Sequence, residues 1–227
     1  MEDTANSVPV EIVDRSAQQD FDIDLSLYPK SVVFARNRRL REEHWRTAFD
    51  SQNIGHHQPL NFLEVGCQEG SSTLWFLENY FGHPDTRVTV IDPFGGSMLD
   101  NFTHNMKVSG HDQKVDVRQG KSGEVLRDIP LYSMDAIYID GLHSSFAVIE
   151  DTILCWRLLK NGGLLMFDDY KMRGRTHYMD KPAPAIDFFM EAFDGKYELI
   201  AADALVSIRK TYPDSQYDTY LSAPVAT

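Results

Sequence analysis

The sequence predicts an α/β fold: a doubly wound, mostly parallel seven-stranded sheet finished by a C-terminal antiparallel hairpin. Three observations predict it. From residue 61 onward, apolar runs of strand type alternate with stretches of helical period, the pattern of parallel strands joined by helical crossovers. The last two runs, 197–201 and 205–210, are separated only by Ala202, Asp203 and Ala204. A parallel return needs a dozen residues or more, so this pair must be antiparallel. Several runs end in carboxylates, at Asp92, Asp140 and the pair Asp168-Asp169. In an open α/β sheet, ligands bind beyond the carboxyl ends of the strands.

The elements follow in order. Residues 1 to about 27 are polar and aperiodic, as expected of a loosely ordered segment. A helix is expected over 32–49, then a strand over 61–65 and a helix over 71–80 that Ser71 or Ser72 can cap. Strands over 87–91, 114–118, 135–139 and 163–167 alternate with helices over 97–108, 122–127, 145–159 and 184–192. Trp75, Phe76 and Tyr80 recur at helical spacing and read as core, as does Trp156 on the later helix. Residues 61–211 form the main domain. Residues 1–60 are an N-terminal extension and helix that lids the pocket, and 212–227 are a loosely ordered tail. No internal repeat or low-complexity segment occurs.

At 227 residues the chain suits one α/β domain. Its net charge of −12 argues against a nucleic-acid partner, because phosphate binding needs clustered Lys and Arg. The one basic run, Arg36 to Arg41, is followed at once by Glu42 and Glu43 and reads as a solvated helix face. Cys67 and Cys155 form no CxxC pair, which speaks against zinc and disulfides; both read as small packing residues in a reducing compartment. The first residues lack an apolar signal core, and no run approaches the ~20 apolar residues of a membrane span. A cytoplasmic protein with no membrane partner is expected, with a homo-oligomer left open.

Phe62-Leu-Glu-Val-Gly-Cys-Gln-Glu-Gly-Ser-Ser-Thr73 runs from strand through turn into helix. Gly66 and Gly70 let the backbone turn tightly and approach a ligand. A dinucleotide fingerprint needs glycine at the first, third and sixth loop positions, and here those are Gly66, Gln68 and Ser71. Glu64 would also repel a pyrophosphate and suits a ligand carrying an ammonium group. Asp92, at the end of the next strand, can accept both hydroxyls of a ribose. Ser122, in the loop after the third strand, can meet a purine edge. An ammonium site, a diol site and a base site in successive loops describe S-adenosylmethionine. Asp140, Asp168 and Asp169 would share one crevice, and three carboxylates stay ionised together only around a cation. Mg²⁺ or another hard divalent cation is the simplest occupant. The competing readings are a helix cap for Asp140, a task Ser144 can also perform, and a polar turn for Asp168 and Asp169.

With these motifs the chain resembles the class I S-adenosylmethionine-dependent methyltransferases, and within them the metal-dependent O-methyltransferases of catechol and macrocin type. Leu-Glu-Val-Gly-x-x-x-Gly-x-Ser, Ile-Asp-Gly-x-His and Gly-Gly-x-x-x-x-Asp-Asp carry the resemblance, which covers roughly 61–210. It implies a Rossmann-like methyltransferase fold. It also implies cofactor contacts at Glu64, Gly66 and Asp92, with Gly70, Ser71, Ser72, Ser122 and Asp140 completing that set. Asp140, Asp168 and Asp169 would hold the metal, and His143 matches the position of the base. Catechol-type enzymes have Lys there and Asn as third ligand, so His143 and Asp169 point to the macrocin type.

The resulting expectation is a divalent-metal-assisted O-methyltransferase acting on a small-molecule hydroxyl such as a sugar, polyketide or catechol-like acceptor. His143 would take the proton, its pKa depressed by the adjacent dication. A metal-independent methyltransferase is the nearest rival. A nicotinamide oxidoreductase and a non-catalytic nucleotide-binding protein are disfavoured by the failed fingerprint and by the acids beyond the cofactor loop.

Overall fold

The protein is described by a computed structural model over residues 42–55, 57–175 and 177–212. In chain order the elements are α1 (Glu42–Ser51), β1 (Asn61–Val65), α2 (Ser71–Asn79), β2 (Arg87–Asp92) and α3 (Met98–Val108). Then come β3 (Val115–Gln119), α4 (Ser122–Val125), β4 (Met134–Ile139), α5 (Ser145–Leu158) and β5 (Leu159–Phe167). The chain closes with α6 (Ala183–Ala192), β6 (Tyr197–Ala202) and β7 (Val206–Lys210). The seven strands form one sheet in the order β3-β2-β1-β4-β5-β7-β6. Strands β1 to β5 are parallel, and β7 runs antiparallel to both β5 and β6. The expected fold is the observed one.

The differences lie at element ends. The chain enters β5 at Leu159, four residues before the expected start, and pairs Leu159 with Met134 before the register slips. Gly162, at φ +81°, turns the chain inside that slip, so the smooth apolar run begins only at Gly163. The helix expected over 122–127 stops at Val125 and tightens into a 3-10 turn, Leu126–Asp128. Of the helix expected over 32–49, only 42–51 is described; positions 32–41, the loosely ordered segment and the tail from 213 lie outside the described residues. Trp45, Ala48 and Phe49 of α1 are buried in the main core, so the described part of the extension is built into the domain.

Strand alternation sorts the core into two layers, because successive side chains point to opposite faces. Phe62, Tyr138, Leu164 and Met166 face one layer with Trp45, Trp75 and Phe76. Leu63, Val65, Ile137, Ile139, Leu165 and Phe167 face the other with Trp156, Ile186 and Phe189. Trp45 lies edge-on to Tyr138, with centroids 5.7 Å apart, which anchors α1 against β4. Trp75, Phe76, Tyr80 and Trp156 are core residues as expected.

Sheet order fixes where a ligand can sit. The chain winds outward from β1 to β3, returns, and continues on the other side from β4, so the loops after β1 and β4 diverge. A crevice opens at such a switch point.

A buried cation closes the opposite end. Lys210 is 2% exposed, and its Nζ donates to the carbonyls of Trp156 at 3.1 Å and Leu159 at 2.7 Å. These are orphan carbonyls at the end of α5, so the lysine caps that helix and favours its negative pole. Lys210→Met should strand both acceptors and lower stability by roughly 1–3 kcal/mol, read as the shift in a urea unfolding midpoint.

Candidate active site

The carboxyl edge of the sheet is built by hydrogen bonds that run just past the strands. Gly66 N donates to Ile91 O at 2.8 Å, Asp140 N to Val65 O at 2.8 Å, and Asp168 N to Ile139 O at 3.0 Å. Gly66, Asp140 and Asp168 therefore stand side by side on one edge. Gly66 has φ +89°, and a Cβ there would lie 2.0 Å from the carbonyl oxygen of Asp140. Only glycine allows both that backbone conformation and that approach.

The loop after β1 is held from three sides. Gln68 N donates to Asp92 Oδ2 at 3.0 Å, Gly70 N to Cys67 O at 2.8 Å, and Asn105 Nδ2 on α3 to Glu69 O at 2.8 Å. Asp92 also accepts from Phe94 N at 2.7 Å through Oδ1. Each oxygen of this carboxylate keeps a second lone pair, and two backbone amides fix its direction. Glu64 is 0% exposed and accepts the hydroxyls of Ser72 and, at 2.5 Å, Thr73. The strand alternation explains the contact, since Glu64 shares with Phe62 the face on which α2 packs. The expected helix cap by Ser71 or Ser72 is corrected here. The N-cap of α2 is Gly70 in the left-handed region, which has no side chain to form a cap bond, and the Ser72 hydroxyl turns inward to Glu64. In this structure Glu64 ties the loop to α2 from behind.

Beyond β4 and β5 the acids converge. His143 Nε2 lies 3.6 Å from Asp140 Oδ1 and 3.2 Å from Asp169 Oδ2, and the three residues offer ligand atoms within 4.8 Å of one another. Ser144 caps α5, its hydroxyl accepting from Ala147 N, so Asp140 is not used as that cap. Asp168 differs from its neighbour. Its Oδ2 accepts the Tyr138 hydroxyl at 2.8 Å and its Oδ1 the Asp169 amide at 2.7 Å. Asp169 has φ +56°, a conformation that costs a non-glycine residue about 1 kcal/mol or more. Gln68 and Phe94 also have positive φ. All three follow carboxyl ends of parallel strands, and strain of this kind collects at functional sites.

Electrostatics follow the acids. The interaction with Asp140 raises the His143 pKa above its ordinary 6.5, helped by the charges of Asp140 and Asp169, while burial and Arg175 oppose the rise. Burial, reinforced by Asp168 and Asp140, pushes the Tyr138 phenol well above its usual range. Tyr138 thus stays a hydroxyl donor to Asp168. The donor set of two carboxylates and an imidazole suits a divalent cation, which would replace the mutual repulsion of the acids with attraction.

Asp151 was not singled out in the sequence. It lies on the buried stripe of α5 with Val148, Thr152 and Cys155, is 2% exposed, and leaves Oδ2 with no hydrogen-bond partner. Burial raises its pKa to about 6; a hydrogen bond from Ser122 opposes the rise and the charge of Glu150 adds to it. The signal was available, because a carboxylate at a core-facing helical position is costly unless compensated. Ser122, expected at the purine edge, commits its hydroxyl proton to this acid.

Comparison with known proteins agrees with this geometry. Residues 63–170, just under half of the chain, match the family model described as a methyltransferase domain. A putative rRNA methylase from Clostridium thermocellum superposes with a TM-score of 0.62 at 14% identity, covering 78% of this chain and 99% of the other. An O-methyltransferase from Bacillus cereus in complex with SAH gives 0.60 at 18% identity, over 76% and 83% of the two chains. The O-methyltransferase TomG from Streptomyces achromogenes, in complex with SAM, gives 0.58 at 14%, over 77% and 82%. In sequence, the chain is 26% identical over 151 residues to the uncharacterized protein R132 of Acanthamoeba polyphaga mimivirus. That match spans 63% of this chain and 65% of the relative's length. The chain shares the fold of these proteins, and residues 63–170 are similar to a methyltransferase domain. Among the described residues, no helix is long and apolar enough to cross a membrane.

Asp151 makes a pH prediction. Its folded pKa of about 6 exceeds its ordinary 3.8, so its stabilising contribution is full below about 3.8 and is lost as pH rises through about 6. The stability of Asp151→Asn relative to wild type should therefore grow between pH 4 and 7.5, by about 2–3 kcal/mol. Urea midpoints across that range would check it.

Proposed function

We propose that the chain is an S-adenosylmethionine-dependent O-methyltransferase, assisted by a divalent cation, that methylates a hydroxyl of a small molecule. The observation that carries this reading is the convergence, at the β1/β4 switch point, of the Gly66 loop and Asp92 with the Asp140–His143–Asp169 cluster. The SAM and SAH complexes of the structural relatives support the choice of cofactor. The acids beyond the cofactor loop support transfer to oxygen, since cofactor binding alone requires none of them.

Each residue has a part in that chemistry. The bare backbone at Gly66 admits the cofactor closely, and the pre-aimed Asp92 carboxylate accepts the ribose hydroxyls. Bound S-adenosylmethionine supplies the electrophilic methyl group, and a divalent cation supplies positive charge that makes the acceptor hydroxyl more acidic. Asp140 and Asp169 would hold that cation. Asp168 fixes Asp169 through its amide, and Tyr138 fixes Asp168. His143, on the cluster's rim, accepts the hydroxyl proton at Nε2. Holding the acceptor in line with the methyl group supplies much of the rate, since alignment can contribute about 7–11 kcal/mol.

The 4.8 Å grouping supports a second reading for one residue, in which His143 is a third ligand. The two readings separate in measurement. As base, His143→Ala should lose about 10²–10⁴-fold in turnover, recover partly as pH rises, and keep metal affinity. As ligand, it should lose metal affinity as Asp169→Ala does.

For the cofactor, S-adenosylhomocysteine at a hundredfold excess over its dissociation constant should stabilise the fold by about 2.7 kcal/mol. Asp92→Ala should bind it at least ~10-fold more weakly by calorimetry. Tight NAD binding with no response to S-adenosylhomocysteine would refute the assignment. Turnover should vanish with chelator and return with Mg²⁺; full turnover in excess chelator would leave a metal-independent methyltransferase.

A further inference from the structure

Asp151 is a buried ionisable side chain that the proposed chemistry leaves unused. It reaches two loops at once. A hydrogen bond joins it to Ser122, the first residue of α4 in the loop after β3. Its Oδ2 lies directly beneath Gly141 in the loop after β4: a Cβ on Gly141 would meet that oxygen at 3.3 Å and Val65 Cγ1 at 3.2 Å. The neighbouring turn of α5 is equally close to α4, since a Cβ on Gly123 would lie 2.9 Å from the Glu150 carboxyl. The groups acting on Asp151 are the Ser122 hydroxyl and the Glu150 charge, and neither is a cation.

An apolar residue at this place on the buried stripe would avoid the desolvation of a carboxyl with an unpaired oxygen. Such a cost points to a task beyond packing. We propose that Asp151 is a positioning residue for the nucleoside end of the cofactor site, holding the Ser122 loop against the Gly141 loop at the spacing the bound base and ribose require. This rests on the S-adenosylmethionine reading. Asp151 touches no ligand itself; it acts through Ser122, whose hydroxyl it turns, and through the underside of Gly141, next to Asp140. With its proton committed to Asp151, Ser122 presents a lone pair outward, the partner an exocyclic amine needs.

The test uses the full chain, with S-adenosylhomocysteine as titrant in calorimetry and thermal melting beside it. Asp151→Ala should melt no lower than wild type at neutral pH yet bind about tenfold or more weakly. Asp151→Asn, whose amide oxygen still accepts from Ser122, should return to within about threefold of wild type. Ser122→Ala should be weakened like Asp151→Ala, and the double variant should be no weaker than either, as for two residues acting as one unit. A residue that merely packs would shift melting and leave affinity alone. Unchanged affinity in Asp151→Ala, or full additivity in the double variant, overturns the inference while leaving the cofactor reading intact. Wild type that fails to bind S-adenosylhomocysteine overturns both. Should Asp151→Ala not fold, the Ser122→Ala arm decides: wild-type affinity there sinks the proposal.

Discussion

At the switch point the backbone of Gly66 passes so close to Asp140 that a Cβ would stand 2.0 Å from its carbonyl oxygen. That approach sets the position of everything around it. It brings the loop after β1 against the loop after β4, where parallel strands would otherwise leave only an open crevice. Gln68 and Phe94, both at positive φ, then direct their amides onto the Asp92 carboxylate. The cost of these backbone conformations is met by the surrounding hydrogen bonds, which leave the loop one arrangement.

The acids on the same edge divide into two roles that their chemistry alone would not separate. Asp168 is spent inward, on the Tyr138 hydroxyl and the Asp169 amide, and so becomes a fixture of the sheet. Asp140 and Asp169 turn toward His143 and raise its proton affinity. Tyr138 can hold Asp168 because both follow the same strand parity, and Trp45 on α1 closes over that tyrosine. The aromatic layer thus reaches from α1 to the acid cluster through one phenol. Packing therefore couples α1 to the acids.

Two buried ionisable groups illustrate opposite ways of using α5. Lys210 satisfies the carbonyls at its C-terminal end and complements the helix dipole. Asp151, in the middle of the same helix, keeps one oxygen unpaired and carries an elevated pKa. The first strengthens the fold at the sheet's far edge. The second sits against Gly141 at the carboxyl edge of the sheet, where its burial carries a desolvation cost.

The sequence by itself determined the α/β architecture, the order of the elements and the antiparallel finish, because strand alternation, helical period and loop length are local properties. It also marked Gly66, Asp92, Asp140 and His143, which follow strand ends and so must lie on one edge. It could not separate Asp168 from Asp169, because adjacent residues look alike until strand parity assigns them to Tyr138 and to His143. It left Ser72 as a cap where the fold turns it to Glu64, and it gave Asp151 no special place within an ordinary helical pattern. Those outcomes depend on which side chains become neighbours across strands and helices. Only the tertiary structure decides that, since burial and hydrogen-bond partners are properties of the packed molecule and not of the spacing along the chain.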